Sequence, residues 1–214
     1  MSTRMKVLSG FAAACMLTAP LAFGAPGTIK GSAHDFKGTT WGGGEVCKAC
    51  HAPHNNQNIA TELLWNHAVP AGTYTVYSSP SFGATAGQPA GTTKLCMSCH
   101  DGAVALDSYG GVTNGANFAP ASAQFGKDLS NDHPVSFAYP ANPTADELKA
   151  TTTAITFASG DTGTIASLLD DGNVECQSCH DVHNTKSAGT ANLLLIANSG
   201  TGSESKLCLT CHTK

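Results

Sequence analysis

Eight of the nine cysteines in this 214-residue chain fall into four identical patterns, each two cysteines separated by two residues and followed at once by histidine. They are Cys47-Lys-Ala-Cys50-His51, Cys96-Met-Ser-Cys99-His100, Cys176-Gln-Ser-Cys179-His180 and Cys208-Leu-Thr-Cys211-His212. C-x-x-C-H is the attachment signature of haem c. The two thiols form thioethers to the vinyl groups on one porphyrin edge, a short helical turn spans that edge, and the adjacent imidazole reaches the iron as proximal ligand. Four such patterns predict four covalent haems, held by Cys47, Cys50, Cys96, Cys99, Cys176, Cys179, Cys208 and Cys211, with His51, His100, His180 and His212 on the irons.

Three other uses of cysteine compete. Exported chains use cysteine for disulfides, but a disulfide framework does not put histidine after every second cysteine. Two zinc sites of four thiolates could be drawn, and they leave the four histidines unexplained. A thioredoxin-like pair needs a strand–helix setting that the sequence lacks.

The ninth cysteine, Cys15, lies in a stretch that reads as a secretory leader. Arg4 and Lys6 precede a mostly apolar run from Val7 to Phe23, and Ala22-Phe23-Gly24 offers a cleavage site after Gly24. The predicted division is a leader at 1–24 and a single domain at 25–214. The run is interrupted and short for a span, and no second one follows, so no membrane span is expected in the mature chain. A lipoprotein signal at Cys15 is disfavoured, since Ala12-Ala13-Ala14 lacks the usual leucine. Export is expected, to the outer surface or the extracellular space, with the periplasm as the alternative.

Loss of Arg4 and Lys6 leaves nine basic against fifteen acidic residues, a net charge of −6. No basic stripe grips phosphates, so nucleic acid is not an expected partner. Only 12% of residues are charged, with 23 glycines and 10 prolines. Such a chain suits an apolar core supplied partly by a cofactor. The predicted fold is irregular, mostly coil with short α-helical turns and few short strands, organised around a stack of four haems.

Each iron needs a second axial ligand. Met1, Met5 and Met16 lie in the leader, and Met97 sits inside its own haem motif, where it cannot reach the far face. Bis-histidine ligation follows, with low potentials, because methionine ligation raises them. Five histidines remain for four positions: His34, His54, His67, His133 and His183. His54 and His183 each follow a proximal histidine by three residues and stay on that haem's proximal side. Each is therefore expected to ligate a different haem, which implies close haem packing. His34 lies on a flexible arm, His133 is held extended by Pro134, and His67 is anchored by Leu64 and Trp65.

The chain also repeats. C-x-x-C-H-A-P-H, Leu63-Leu64-Trp65 and Lys94-Leu95-Cys96 correspond to C-x-x-C-H-D-V-H, Leu193-Leu194-Leu195 and Lys206-Leu207-Cys208. Two dihaem modules are expected, about 25–115 and 116–214, each preceded by a histidine, His34 or His133. Helical turns are predicted at the four motifs, with Lys94-Leu95 and Lys206-Leu207 opening two of them. Another is predicted at Asp146–Lys149, capped by Thr144, and a strand within 151–157. Gly42-Gly43-Gly44 either lets backbone approach a porphyrin or forms a plain loop. On the repeat alone, His54 would serve the second haem and His183 the fourth, leaving His67 spare.

The four motifs, the Ser-Ala-His34-Asp-Phe arm and the Cys50-His51-Ala-Pro-His54 element resemble the doubled C-x-x-C-H multihaem cytochromes, and among them the outer-surface tetrahaem members. The resemblance covers most of the chain after residue 24. It implies polymerisation into extracellular filaments with an unbroken line of bis-histidine haems. It also implies that His54 ligates a haem of a neighbouring subunit, that His34 serves the first haem, and that His67 then takes the second. The function it implies is electron transfer, with self-association, other redox proteins and extracellular acceptors as partners. A monomeric periplasmic shuttle shares that chemistry. A multihaem reductase would need an open iron, which a surplus of histidines argues against, so no catalytic residue is assigned.

Overall fold

The computed structural model describes residues 28–54, 64–143, 147–188, 190–198 and 206–213. The expected leader, Cys15, Leu63, Thr144 and Asp146 lie outside them. As the composition predicts, the chain is mostly coil with a few short helices and strands. Two α-helices are described, α1 (Gly91–His100) and α2 (Lys206–Cys211), and five 3-10 turns lie at Phe36–Gly38, Ala121–Ala123, Ile165–Leu168, Cys176–Ser178 and Ala191–Leu193. The strands are β1 (Phe137–Ala138), β2 (Ala154–Thr156), β3 (Thr162–Thr164) and β4 (Asn173–Val174). β1 pairs antiparallel with β4, placing Phe137 opposite Val174. β2 and β3 form a hairpin with Ile155 opposite Gly163.

The predicted strand within 151–157 shortens to β2 for a local reason. The carbonyls of Thr151 and Thr153 accept the N–H groups of Ala166 and Ile165 instead of continuing a ladder. At the other end the chain turns through Gly160, at φ +92°, which glycine adopts without strain. The turn predicted at Asp146–Lys149 is not helical in its described part. Glu147 has φ 59°, and Leu148 bridges His212. Thr213 N–H donates to Glu147 and Lys149 N–H to Cys211. The end of the last C-x-x-C-H motif, residues 211–213, has captured this backbone as a bridge partner.

Two small apolar clusters form. One gathers Ile155, Phe157, Ile165, Leu168, Leu195 and Ile196, flanked by Tyr139, Leu207 and Cys211. The other gathers Tyr74, Met97 and Leu129, flanked by Val76. Met97 is thus a core side chain of α1, only 2% exposed. The stretch 117–129 returns onto the first half, with Leu106 N–H donating to Asn117, Phe125 N–H to His100 and Leu129 N–H to Thr75.

The halves meet where α1 packs on the Cys176–Ser178 turn. Cys176 N–H donates to Thr93 Oγ1 at 3.1 Å, Thr92 N–H to Asp170 at 3.4 Å, and Ala90 N–H to Ser136 Oγ at 3.0 Å. Within the Gly42–Gly44 run, Gly42 permits a close backbone approach: a Cβ there would lie 1.9 Å from the Phe36 carbonyl oxygen. Among the described residues no helix is long and apolar enough to cross a membrane.

Candidate haem-binding site

Each C-x-x-C-H segment closes one helical turn. His51 N–H donates to Cys47 O at 2.8 Å, His180 to Cys176 at 3.1 Å and His212 to Cys208 at 2.9 Å, while Cys96–His100 lies within α1. This i→i−4 closure brings the two cysteines of a motif to one side of the turn and presents the histidine beyond them. The expected helical turns are therefore present at all four motifs.

Two proximal imidazoles are held from behind. His100 Nδ1 faces Ala123 O at 2.7 Å, and His180 Nδ1 faces Asn192 O at 2.7 Å. A carbonyl only accepts, so Nδ1 carries the proton and Nε2 keeps a free lone pair for a metal.

The repeat extends to individual hydrogen bonds. Ala52 N–H donates to Leu64 O at 2.9 Å, and Asp181 N–H to Leu193 O at 2.8 Å. Asn66 N–H donates to Cys50 O at 2.8 Å, and Leu195 N–H to Cys179 O at 2.8 Å. His51 bridges Trp65 as His180 bridges Leu194. Leu64 and Leu193 both adopt left-handed backbone, at φ 61° and 57°. That conformation is sparse for a branched residue and costs on the order of 1–3 kcal/mol. Its recurrence at equivalent positions marks it as part of the unit, where it swings the chain back onto the motif.

Six of the nine imidazoles meet in pairs. The ring centres of His34 and His100 are 6.1 Å apart, those of His51 and His183 6.2 Å, and those of His133 and His212 6.3 Å. An imidazole–metal bond of about 2.0 Å puts two trans nitrogens about 4 Å apart, and ring centres, roughly 1.1 Å behind each nitrogen, about 6.2 Å apart. The centroid spacing of the three pairs is thus compatible with one metal between two imidazoles. His34 sits against His100, not against the first proximal histidine, His51, as the resemblance implied. His183 faces His51 and not the fourth motif.

The remaining three histidines differ. His67 is 1% exposed. Its Nδ1 faces Ala68 O at 2.9 Å and its Nε2 faces Leu106 O at 3.3 Å, so neither nitrogen is presented to a second imidazole. The ungapped repeat that aligns His51 with His180 aligns His67 with Ile196, a core residue 1% exposed. His54 and His180 both lie at the surface, and among the described residues neither has another imidazole at pair spacing.

Electrostatics agree with the pairing. Burial, then His100 and His180, hold His34 below the ordinary imidazole range. Burial, then His133, lowers His212. Both shifts favour the neutral imidazole that binds metals. Burial and neighbouring thiols push the Cys50 and Cys179 thiols up to about 11, and burial, Cys50 and Asp101 push Cys99 up to about 12. The Cys96 and Cys176 thiols lie close enough for their interaction to raise Cys96 and lower Cys176. The second and third C-x-x-C-H turns are therefore neighbours.

Sequence reasoning missed the residue after the proximal histidine. Asp101 Oδ1 accepts Ala103 and Val104 N–H at 2.7 and 2.9 Å. Asp181 accepts His183 N–H at 3.1 Å and Lys186 N–H at 2.6 Å. Both aspartates close the turn leaving their motif, and Cys-His-Asp at two of four motifs was the available signal.

All eight described cysteines are unpaired, and among the described residues no three metal-binding side chains converge. No curated protein matches the chain. Residues 169–214 match the family model described as the doubled CXXCH motif, and with four attachment turns in place this match supports a multihaem c-type cytochrome that carries electrons through covalently bound haem c.

Proposed function

We propose that the chain binds four haems, one at each C-x-x-C-H turn, and serves as the subunit of an extracellular filament that carries electrons to external acceptors. The observation that carries this reading is the pairing of imidazoles. Three pairs stand at the spacing of a six-coordinate iron. One proximal histidine, His180, and one surface histidine, His54, are left over on the same chain.

The repeat gives the leftover pair a meaning. His183, three residues after His180, is delivered to the first motif of its own chain. His54 holds the equivalent place after His51. Delivered in the same sense, it reaches the third motif of the next chain. A ligand given at one end and received at the other is a heterologous contact, which builds open filaments when its rotation does not close.

Haem supplies one-electron Fe(II)/Fe(III) chemistry at potentials set by its axial ligands and surroundings. The chain's residues fix that setting. Ala123 and Asn192 carbonyls hold the His100 and His180 rings in one tautomer, and the surrounding turns keep each pair of rings facing. With imidazole on both faces, no iron is open to substrate, so the reading is of a carrier. Haem-to-chain stoichiometry on the purified protein, with electron microscopy of material sheared from producing cells, tests it. Four haems per chain and filaments are the expected result. Fewer haems, or only dispersed particles, contradict it.

A further inference from the structure

Trp65 stands edge-on to the first proximal imidazole, with ring centres 6.2 Å apart and planes at 89° to His51. It also lies 6.4 Å from His67, whose Nε2 is 3.6 Å from Cys99 Sγ. The indole is thus near both the first and the second C-x-x-C-H turn. The residue is nine-tenths buried, and among the described residues its Nε1–H has no hydrogen-bond partner, sulfur acceptors included. A buried N–H without an acceptor is destabilising. Indole nitrogen is a donor only, so it calls for an acceptor that none of the described residues supplies.

The repeat sharpens the point. Leu194 holds the equivalent position on matching backbone, with the same bridge to a proximal histidine and the same left-handed leucine before it. Leucine therefore fills this place in the fold without a donor. The donor at position 65 is an addition to one unit, and the group it stands beside is the first attachment site.

We infer that the Trp65 indole N–H donates a hydrogen bond to a propionate carboxylate of the haem attached at Cys47 and Cys50. The inference rests on the reading that this site carries haem. A porphyrin presents carboxylates as its strong acceptors, and a buried carboxylate is held best by such a donor. Loss of the donor leaves the carboxylate's negative charge less compensated. That favours the ferric iron and lowers the potential of this haem, while the imidazoles on the iron are untouched.

The test uses the full holoprotein. Ultraviolet resonance Raman spectra report indole N–H bonding for Trp41 and Trp65, the two tryptophans of the chain, and Trp65→Phe assigns the signals. The expected result is a strongly hydrogen-bonded indole lost in Trp65→Phe. Trp65→Phe and Trp65→Leu should both lower one haem's midpoint potential in a spectroelectrochemical titration, with haem count and low-spin spectra unchanged. A free-indole signature for Trp65 in the wild type overturns the inference without needing a variant. A bonded indole with unshifted potentials also overturns it, since the acceptor is then water or another neutral group. Loss of a haem from the wild-type stoichiometry would instead indict the reading of four attachment sites.

Discussion

The imidazoles of His51 and His183 face each other almost in parallel, with ring centres 6.2 Å apart and planes inclined by 20°. They come from opposite halves of the chain, so the proposed reading has the second half supply the distal ligand of the first motif. His183→Ala should turn one haem high-spin and leave the others low-spin, read from the visible and electron paramagnetic resonance spectra of the oxidised protein. An unchanged low-spin spectrum would remove His183 from the ligand set.

His67 should behave as a core residue. His67→Ile, the residue at the equivalent place in the other unit, should leave every haem low-spin. It removes the ring that faces the Ala68 and Leu106 carbonyls, which costs about 1–3 kcal/mol when a buried group is left unsatisfied. A lower midpoint in denaturant with an intact spectrum is the expected result. A new high-spin haem would show that His67 is a ligand after all.

Two lysine–aspartate pairs should differ sharply. Lys127 Nζ lies 2.9 Å from Asp101 Oδ2, and the Asp101 side chain is fully buried; Lys127 also donates to Tyr74 OH at 3.0 Å. Lys127→Met should destabilise the protein by about 2 kcal/mol, as expected for a hydrogen bond to a charged group. Lys37 and Asp35 are 3.8 Å apart, beyond hydrogen-bond distance, and Lys37→Met should change stability little. Equal effects in thermal unfolding would contradict the difference in burial.

The loop 107–117 should carry an acid-sensitive lock. Burial raises the Asp107 carboxyl, but donation from Asn117 backbone and side chain and from Ala116 N–H outweighs it and holds the group below the ordinary carboxylate range. A depressed carboxylate contributes stability above its unfolded pKa, about 3.9, and loses it as pH falls through the lower folded value. Hydrogen exchange of the loop should therefore quicken below pH about 4 in the wild type. Asp107→Asn should exchange faster at neutral pH and lose that acid dependence. Identical profiles for the two proteins would refute the lock.

Much of this was readable in the sequence because it is local. The C-x-x-C-H turns depend on a five-residue spacing, and all four closed as expected. The choice of distal partner is not local. It depends on where the chain carries His34, His133 and His183, and counting ligands against irons made His67 look available. Aligning residues 47–67 with 176–196 without a gap would have set His67 against Ile196 and marked it as core. The turn expected near Asp146 failed for a similar reason: residues 211–213, far away in sequence, compete for the same backbone.

In the proposed filament His54 completes an iron in a neighbouring chain. His54→Ala, produced in the native exporting host, tests this by electron microscopy and by the spin state of the haems. Filaments should be lost while four haems stay attached and three remain low-spin, the haem at His180 lacking its distal imidazole. Filaments that persist with every haem low-spin would contradict it.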